Sequence, residues 1–125
     1  MIIKIDGESF DINILSLQEE DTFVDKYAER TESYDLEREL VGLFINYRVK
    51  IGKIQDKKES QRFVNKLREV VPFHEVEMPF DDSTIKFKAY ITGITRQLLK
   101  YQLGNGNEWG SFEVRFIAKS PQFRA

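Results

Sequence analysis

Apolar and polar residues alternate with period two along most of the chain. In 43–51, Leu43, Ile45, Tyr47, Val49 and Ile51 share one parity, opposite Phe44, Asn46, Arg48 and Lys50. In 85–91, Ile85, Phe87, Ala89 and Ile91 oppose Lys86, Lys88 and Tyr90; in 112–118, Phe112, Val114, Phe116 and Ala118 oppose Glu113, Arg115 and Ile117. Such alternation is that of strands with one buried and one wet face. Weaker strand patterns occupy 2–5, 10–17, 74–79 and 94–102. Asp6-Gly7 and Asp81-Asp82-Ser83 lie between strand segments, as hairpin turns do.

One stretch keeps helical spacing instead. Phe63, Val64, Leu67, Val70 and Val71 fall on one face, after an Asp56…Glu59 pair with the form of a capping box. Pro72 disfavours helical geometry at the residue before it, so a helix is predicted at about 56–70. Strands on both sides of a single helix predict an α+β fold. Its main part is a mainly antiparallel twisted β-sheet, a barrel or a sandwich, with the helix flanking it. With no linker, low-complexity tract or repeat, 1–125 reads as a single domain.

Residues 18–42 do not fit this scheme cleanly. Scattered apolar residues allow a helix at 19–30, two strands or a long mobile loop; extended structure with a flexible middle is the expectation. The charge here is concentrated. Residues 19–39 carry nine acids against three bases, whereas the remainder carries 12 acids and 16 bases. A solvated acidic loop explains this, and so does an acidic arm that meets the basic face of a neighbouring copy.

The candidate chemistry is sparse. Zero Cys excludes disulfides, thiolate zinc sites and thiol catalysis. His74, the one histidine, has no second His at metal-ligand spacing, and no Ser or Thr stands in a nucleophile elbow. Asp81-Asp82 reads as a turn and Glu75/Glu77 as one wet strand face. Residues 104–110 are glycine-rich but precede a strand, not the helix N-terminus that a phosphate-cradling loop requires. Trp109 reads as a plug on a sheet edge. A net charge of −2 gives no electrostatic case for nucleic-acid binding, and the start of the chain lacks a signal-peptide pattern. The expectations are no enzyme activity, no cofactor, no metal, no membrane contact, no specific nucleic acid and no small-molecule substrate.

Two blocks carry a resemblance. One is Arg30 followed by Arg38-Glu39-Leu40-Val41-Gly42-Leu43-Phe44-Ile45-Asn46-Tyr47-Arg48-Val49-Lys50-Ile51. The other runs from Asn107-Glu108-Trp109-Gly110 through Phe112-Glu113-Val114-Arg115-Phe116 to Pro121-Gln122. Together with the Met78-Pro79-Phe80 turn they resemble small prophage proteins of the tail-gene region of Gram-positive bacteria. Members prefer Ser, Gly and Met where this chain has Glu32-Ser33-Tyr34-Asp35, which is a departure.

The resemblance implies a tail-tube-like or tail-adaptor-like architecture and a structural role in the virion after synthesis in the bacterial cytoplasm. The implied partners are copies of itself, as a possible ring, and other tail proteins. The expected assembly interface comprises Glu19, Glu20, Asp21, Asp25, Arg30, Asp35, Arg38 and Trp109. The alternative is a monomeric binding or adaptor module that docks another phage or host protein through an edge strand.

Overall fold

A computed structural model of the chain describes residues 2–32, 35–102, 104 and 106–125. The elements in order are β1 (Ile2–Ile5), β2 (Glu8–Asp11), β3 (Ile14–Arg30), β4 (Leu36–Ile51), α1 (Lys57–Leu67), β5 (His74–Phe80), β6 (Ser83–Thr95), β7 (Leu98–Lys100), β8 (Glu108–Trp109), β9 (Phe112–Ala118) and β10 (Phe123–Arg124). The main sheet runs β3-β4-β9-β6-β5-β1-β2 with every pairing antiparallel. The edge of β4 opposite β3 is shared by β9, at 47–51, and β10, at 42–43. Strands β7 and β8 form a separate ribbon.

The sheet is open, with β2 and β3 at its ends, so the sandwich-like arrangement holds rather than a closed barrel. Those two end strands are nevertheless consecutive in sequence, joined only by residues 12–13. The sheet therefore has to curl until two of its corners meet at that connection. Buried Ile12 and the Asn13 carbonyl, which accepts from Gly52 N at 2.7 Å, fasten the corner. This is why the expected strand at 10–17 is split in two.

The inner face of the curl is the core. Ile45, Tyr47, Val49 and Ile51 of β4 and Phe112, Val114 and Phe116 of β9 are buried, as the alternation predicts. Helix α1 lies across this face. The Phe63 ring meets Phe10 edge-on at 5.3 Å and Phe112 at 6.3 Å, so one side chain ties the β1–β2 hairpin to β9. Arg62 reinforces the contact by donating to Ser9 O at 2.7 Å and lying over the Phe10 ring.

Asp56 is the N-cap, accepting from the backbone of Lys58 and Glu59. The reciprocal half of the capping box is replaced, because Glu59 takes Arg62 in a two-point contact instead. The helix stops at Leu67, short of the expected residue 70. Val70 is fully exposed and Val71 nearly half exposed, contrary to their assignment to the apolar face. The chain has to straighten ahead of Pro72, which withdraws these residues from the helical register. The expected strand at 94–102 is interrupted, since β6 ends at Thr95 and only 98–100 pair again, with β8.

Residues 18–42 are two strands, not a helix. β3 and β4 form a long hairpin from Ile14↔Ile51 to Arg30↔Leu36. Among the described residues, neither strand has any other neighbour in the sheet beyond Gly42. Gly42 itself is where the body ends, because a Cβ there would lie 2.4 Å from Phe123 O and 2.8 Å from Pro121 Cβ. Gln122 completes that junction by exchanging side-chain hydrogen bonds with both backbone groups of Ile45. Ser33 and Tyr34, within the stretch that departs from the prophage pattern, lie outside the described residues.

Candidate assembly surface

The hairpin beyond the body is an exposed acidic arm. Asp25, Arg30, Asp35 and Arg38 lie along it, Glu19, Glu20 and Asp21 lie at its root where β3 still runs beside the body, and Trp109 lies elsewhere, in β8. Their local roles differ. Glu20 contacts Arg48 at 3.6 Å and Arg115 at 3.5 Å, two arginines that face each other across β4 and β9. Arg48 Nε also lies 3.1 Å from Glu113, close enough for an ion pair but without hydrogen-bond alignment. Glu20 thus offsets like-charge repulsion within the body. Asp25 and Arg38 pair at 2.6 Å across the arm, and Thr31 N donates to Asp35 O at its turn.

The root of the arm gathers carboxylates that the sequence does not place together. Glu19 stands opposite Tyr47 and Asp21 opposite Ile45, so both share the inner face, and Asp81 reaches the same place from the β5–β6 turn. Burial raises the Glu19 carboxyl above its ordinary range, as do its hydrogen bond with Asp21 and the charges of Asp21 and Asp81. Burial, followed by the charges of Glu19, Asp21 and Asp81, also holds the Tyr47 phenol well above its ordinary value. Its hydroxyl donates to Pro79 O at 2.9 Å. Apolar residues are exposed on the arm as well: Phe23, Tyr27 and Leu36 are all about half exposed or more.

His74 is buried and structural. Its Nδ1 lies 2.7 Å from Asp6 Oδ2, and Asp6 Oδ1 accepts from Glu75 N at 2.8 Å. An ionised carboxylate only accepts, so Asp6 fixes the proton on Nδ1. Asp6, Glu69 and His74 offer ligand atoms within 4.8 Å of one another. The Lys66 ammonium is already there, 3.1 Å from Glu69 and 3.7 Å from Asp6, and supplies the positive charge.

Burial alone pushes the Asp6 carboxyl up, but the hydrogen bonds from His74 and Glu75 and the nearby cationic charge bring it below its ordinary value. A carboxylate with a depressed value stabilises the native state above the unfolded pKa, and that contribution fades as pH falls through the native one. Asp6 also begins the β1–β2 turn, with φ of 53° ahead of Gly7 at 82°. Asp6→Ala is therefore expected to cost about 1–3 kcal/mol at neutral pH, since it leaves buried His74 unpartnered. The gap from the parent should narrow on acidification below about pH 4, as urea titrations at several pH values would read.

At the other end of β4 lies a cavity of about 390 Å³ between α1 and the 106–110 segment. Trp109 lines it, with the Arg96 guanidinium 4.2 Å above its ring. Among the described residues of 104–110, Gly104 and Gly106 take positive φ, as a loop between strands requires, and Lys57 Nζ donates to Gly106 O. Asn105 lies outside the described residues. Trp109 is half-buried in the β7–β8 ribbon, at a cavity rim rather than on the edge of the main sheet.

Among the described residues, no helix is long and apolar enough to cross a membrane. No family model matches the chain, and no curated protein matches it. Among solved structures, the fold matches a chain from the virion of a native gene transfer agent particle. The TM-score is 0.53 at 18% identity, covering 99% of this chain and 95% of that one. The likeness spans the arm as well as the body, and it is a likeness of fold.

Proposed function

We propose that this chain, acting as a single domain over 1–125, is a structural component of a phage-type virion. We place it in the tail region, working through contacts with copies of itself and with other tail proteins rather than through catalysis. The observation that carries this reading is the end-to-end match with a chain of a virion particle. The arm supports it, because its exposed Phe23, Tyr27 and Leu36 and its acidic side chains are left uncovered by the protein's own body. The contact residues are Glu19, Asp21, Asp25, Arg30, Asp35 and Arg38, with Glu20 engaged within the body and Trp109 at the opposite end.

Head-to-tail contacts between unlike patches propagate, closing into rings when the rotation allows. Complementary charge favours encounter and register in such contacts. Replacing Glu19, Asp21, Glu32 and Glu39 by their amides is expected to weaken self-association, read by light scattering, while the thermal unfolding curve stays close to that of the parent. Unchanged association would remove these four carboxylates from the account and leave only the arm's other acids.

A second reading, a monomeric adaptor, is favoured by one feature. Among the described residues β3 pairs only with β4, so its 17 residues present a long free edge to which a partner strand can add. It predicts a monomer at every concentration.

A further inference from the structure

We propose that the cavity between α1 and β8 is a socket for carboxylates at the arm tip of a second copy, Glu29 and Glu37 in particular. This inference rests on the self-assembly just proposed and names both halves of the contact. The socket holds Arg68 at the end of α1, Arg96 stacked on Trp109, and Lys53 and Lys57, against the single acid Glu108. Glu108 is engaged by Lys53 at 3.5 Å. Among the described residues neither Arg68 nor Arg96 pairs with a carboxylate. Burial and the nearness of Arg68 both work against the charge on Arg96. Two guanidiniums thus share a concave site whose one lining carboxylate, Glu108, is engaged by Lys53.

The arm tip is the converse. Glu29 and Glu37 stand directly opposite each other across β3 and β4, and like charges so placed are destabilising. Neither makes an ion pair among the described residues. Each like-charged pair is unfavourable within one copy, and docking one pair on the other offsets both. Guanidinium forks suit carboxylates in geometry as well as charge.

The two halves cannot meet within one chain. The tip lies at one end of the 16-residue β4, whereas Gly52 to Gln55, which line the socket, follow its other end. At the usual strand rise that separation is about 50 Å. The contact is therefore between copies, head to tail, and leaves a free arm at one end and a free socket at the other end of any open chain of copies.

Trp109 is the only tryptophan, so its fluorescence reports on the socket alone. The experiment follows mass by light scattering and Trp109 emission across one concentration series. In the parent protein both are expected to change together. Arg68→Glu with Arg96→Glu should weaken association at least about tenfold, as should Glu29→Lys with Glu37→Lys. The chain carrying all four reversals should regain association, which a merely misfolded variant would not do.

Growth in mass with unchanged Trp109 emission, and with the arginine reversals associating like the parent, overturns the socket while self-assembly stands. A parent whose mass stays that of one copy at every concentration overturns self-assembly and the socket with it.

Discussion

Replacing Phe63 by Ala is expected to lower the free energy of unfolding by about 3–5 kcal/mol, the usual range for a buried aromatic truncated to Ala. The side chain is fully buried and sits between Phe10 and Phe112, so its loss opens a gap on both sides of the helix. Helix α1 has 11 residues, below the length at which an isolated helix persists in water. Its order therefore depends on this packing, with Val64 and Leu67 as the other buried anchors. Urea denaturation should show a lower midpoint with a similar slope. A loss below about 1 kcal/mol would mean that the helix is not what closes the core.

The second large effect is on assembly rather than stability. Removing residues 25–41 and joining Val24 to Gly42 through Asn-Gly should give a folded protein that no longer associates. Val24 and Gly42 are paired, so a two-residue turn fits between them, and Asn-Gly supplies the positive φ angles such a turn needs. None of the buried core residues lies in 25–41. The Asp25–Arg38 pair that is lost is exposed, and exposed pairs contribute little. The unfolding free energy of the shortened chain should therefore stay within about 1 kcal/mol of the parent's. Its mass should remain that of one copy at concentrations where the parent grows. Unfolding of the shortened chain would show instead that the arm is part of the fold's foundation.

The body of this fold was legible because one-sided burial writes a parity into the sequence. The alternation at 45–51 and 112–118 matches the buried residues of β4 and β9, and it fades only at Leu43, which is half-buried like its neighbour Phe44. Asp56 marks the helix start in the same direct way. The arm was harder to read for the opposite reason. A two-stranded ribbon wet on both faces has no core to impose alternation, so Glu19 to Arg30 show charge but no period. Charge density alone located it, and could not distinguish a hairpin from a loop.

The socket was nearly invisible in the chain. Arg68, Arg96 and Trp109 come from a helix end, a loop and a short ribbon, and only the tryptophan beside a glycine-rich loop drew notice. Long-range pairs such as Asp6 with His74, or Asp81 with Glu19, likewise depend on sheet order, which local periodicity does not encode. Glu20 shows the converse. It reads as an arm residue, yet the register places it between Arg48 and Arg115.

The measurement that bears most directly on the account is the absolute mass of the unmodified chain by light scattering, from low micromolar to near millimolar. The most concentrated sample is then imaged in negative stain. A virion component built on head-to-tail contacts predicts mass rising with concentration and rings or short tubes in the images. A strict monomer throughout, with featureless images, would contradict self-assembly and leave the free edge of β3 as the surface through which this protein acts.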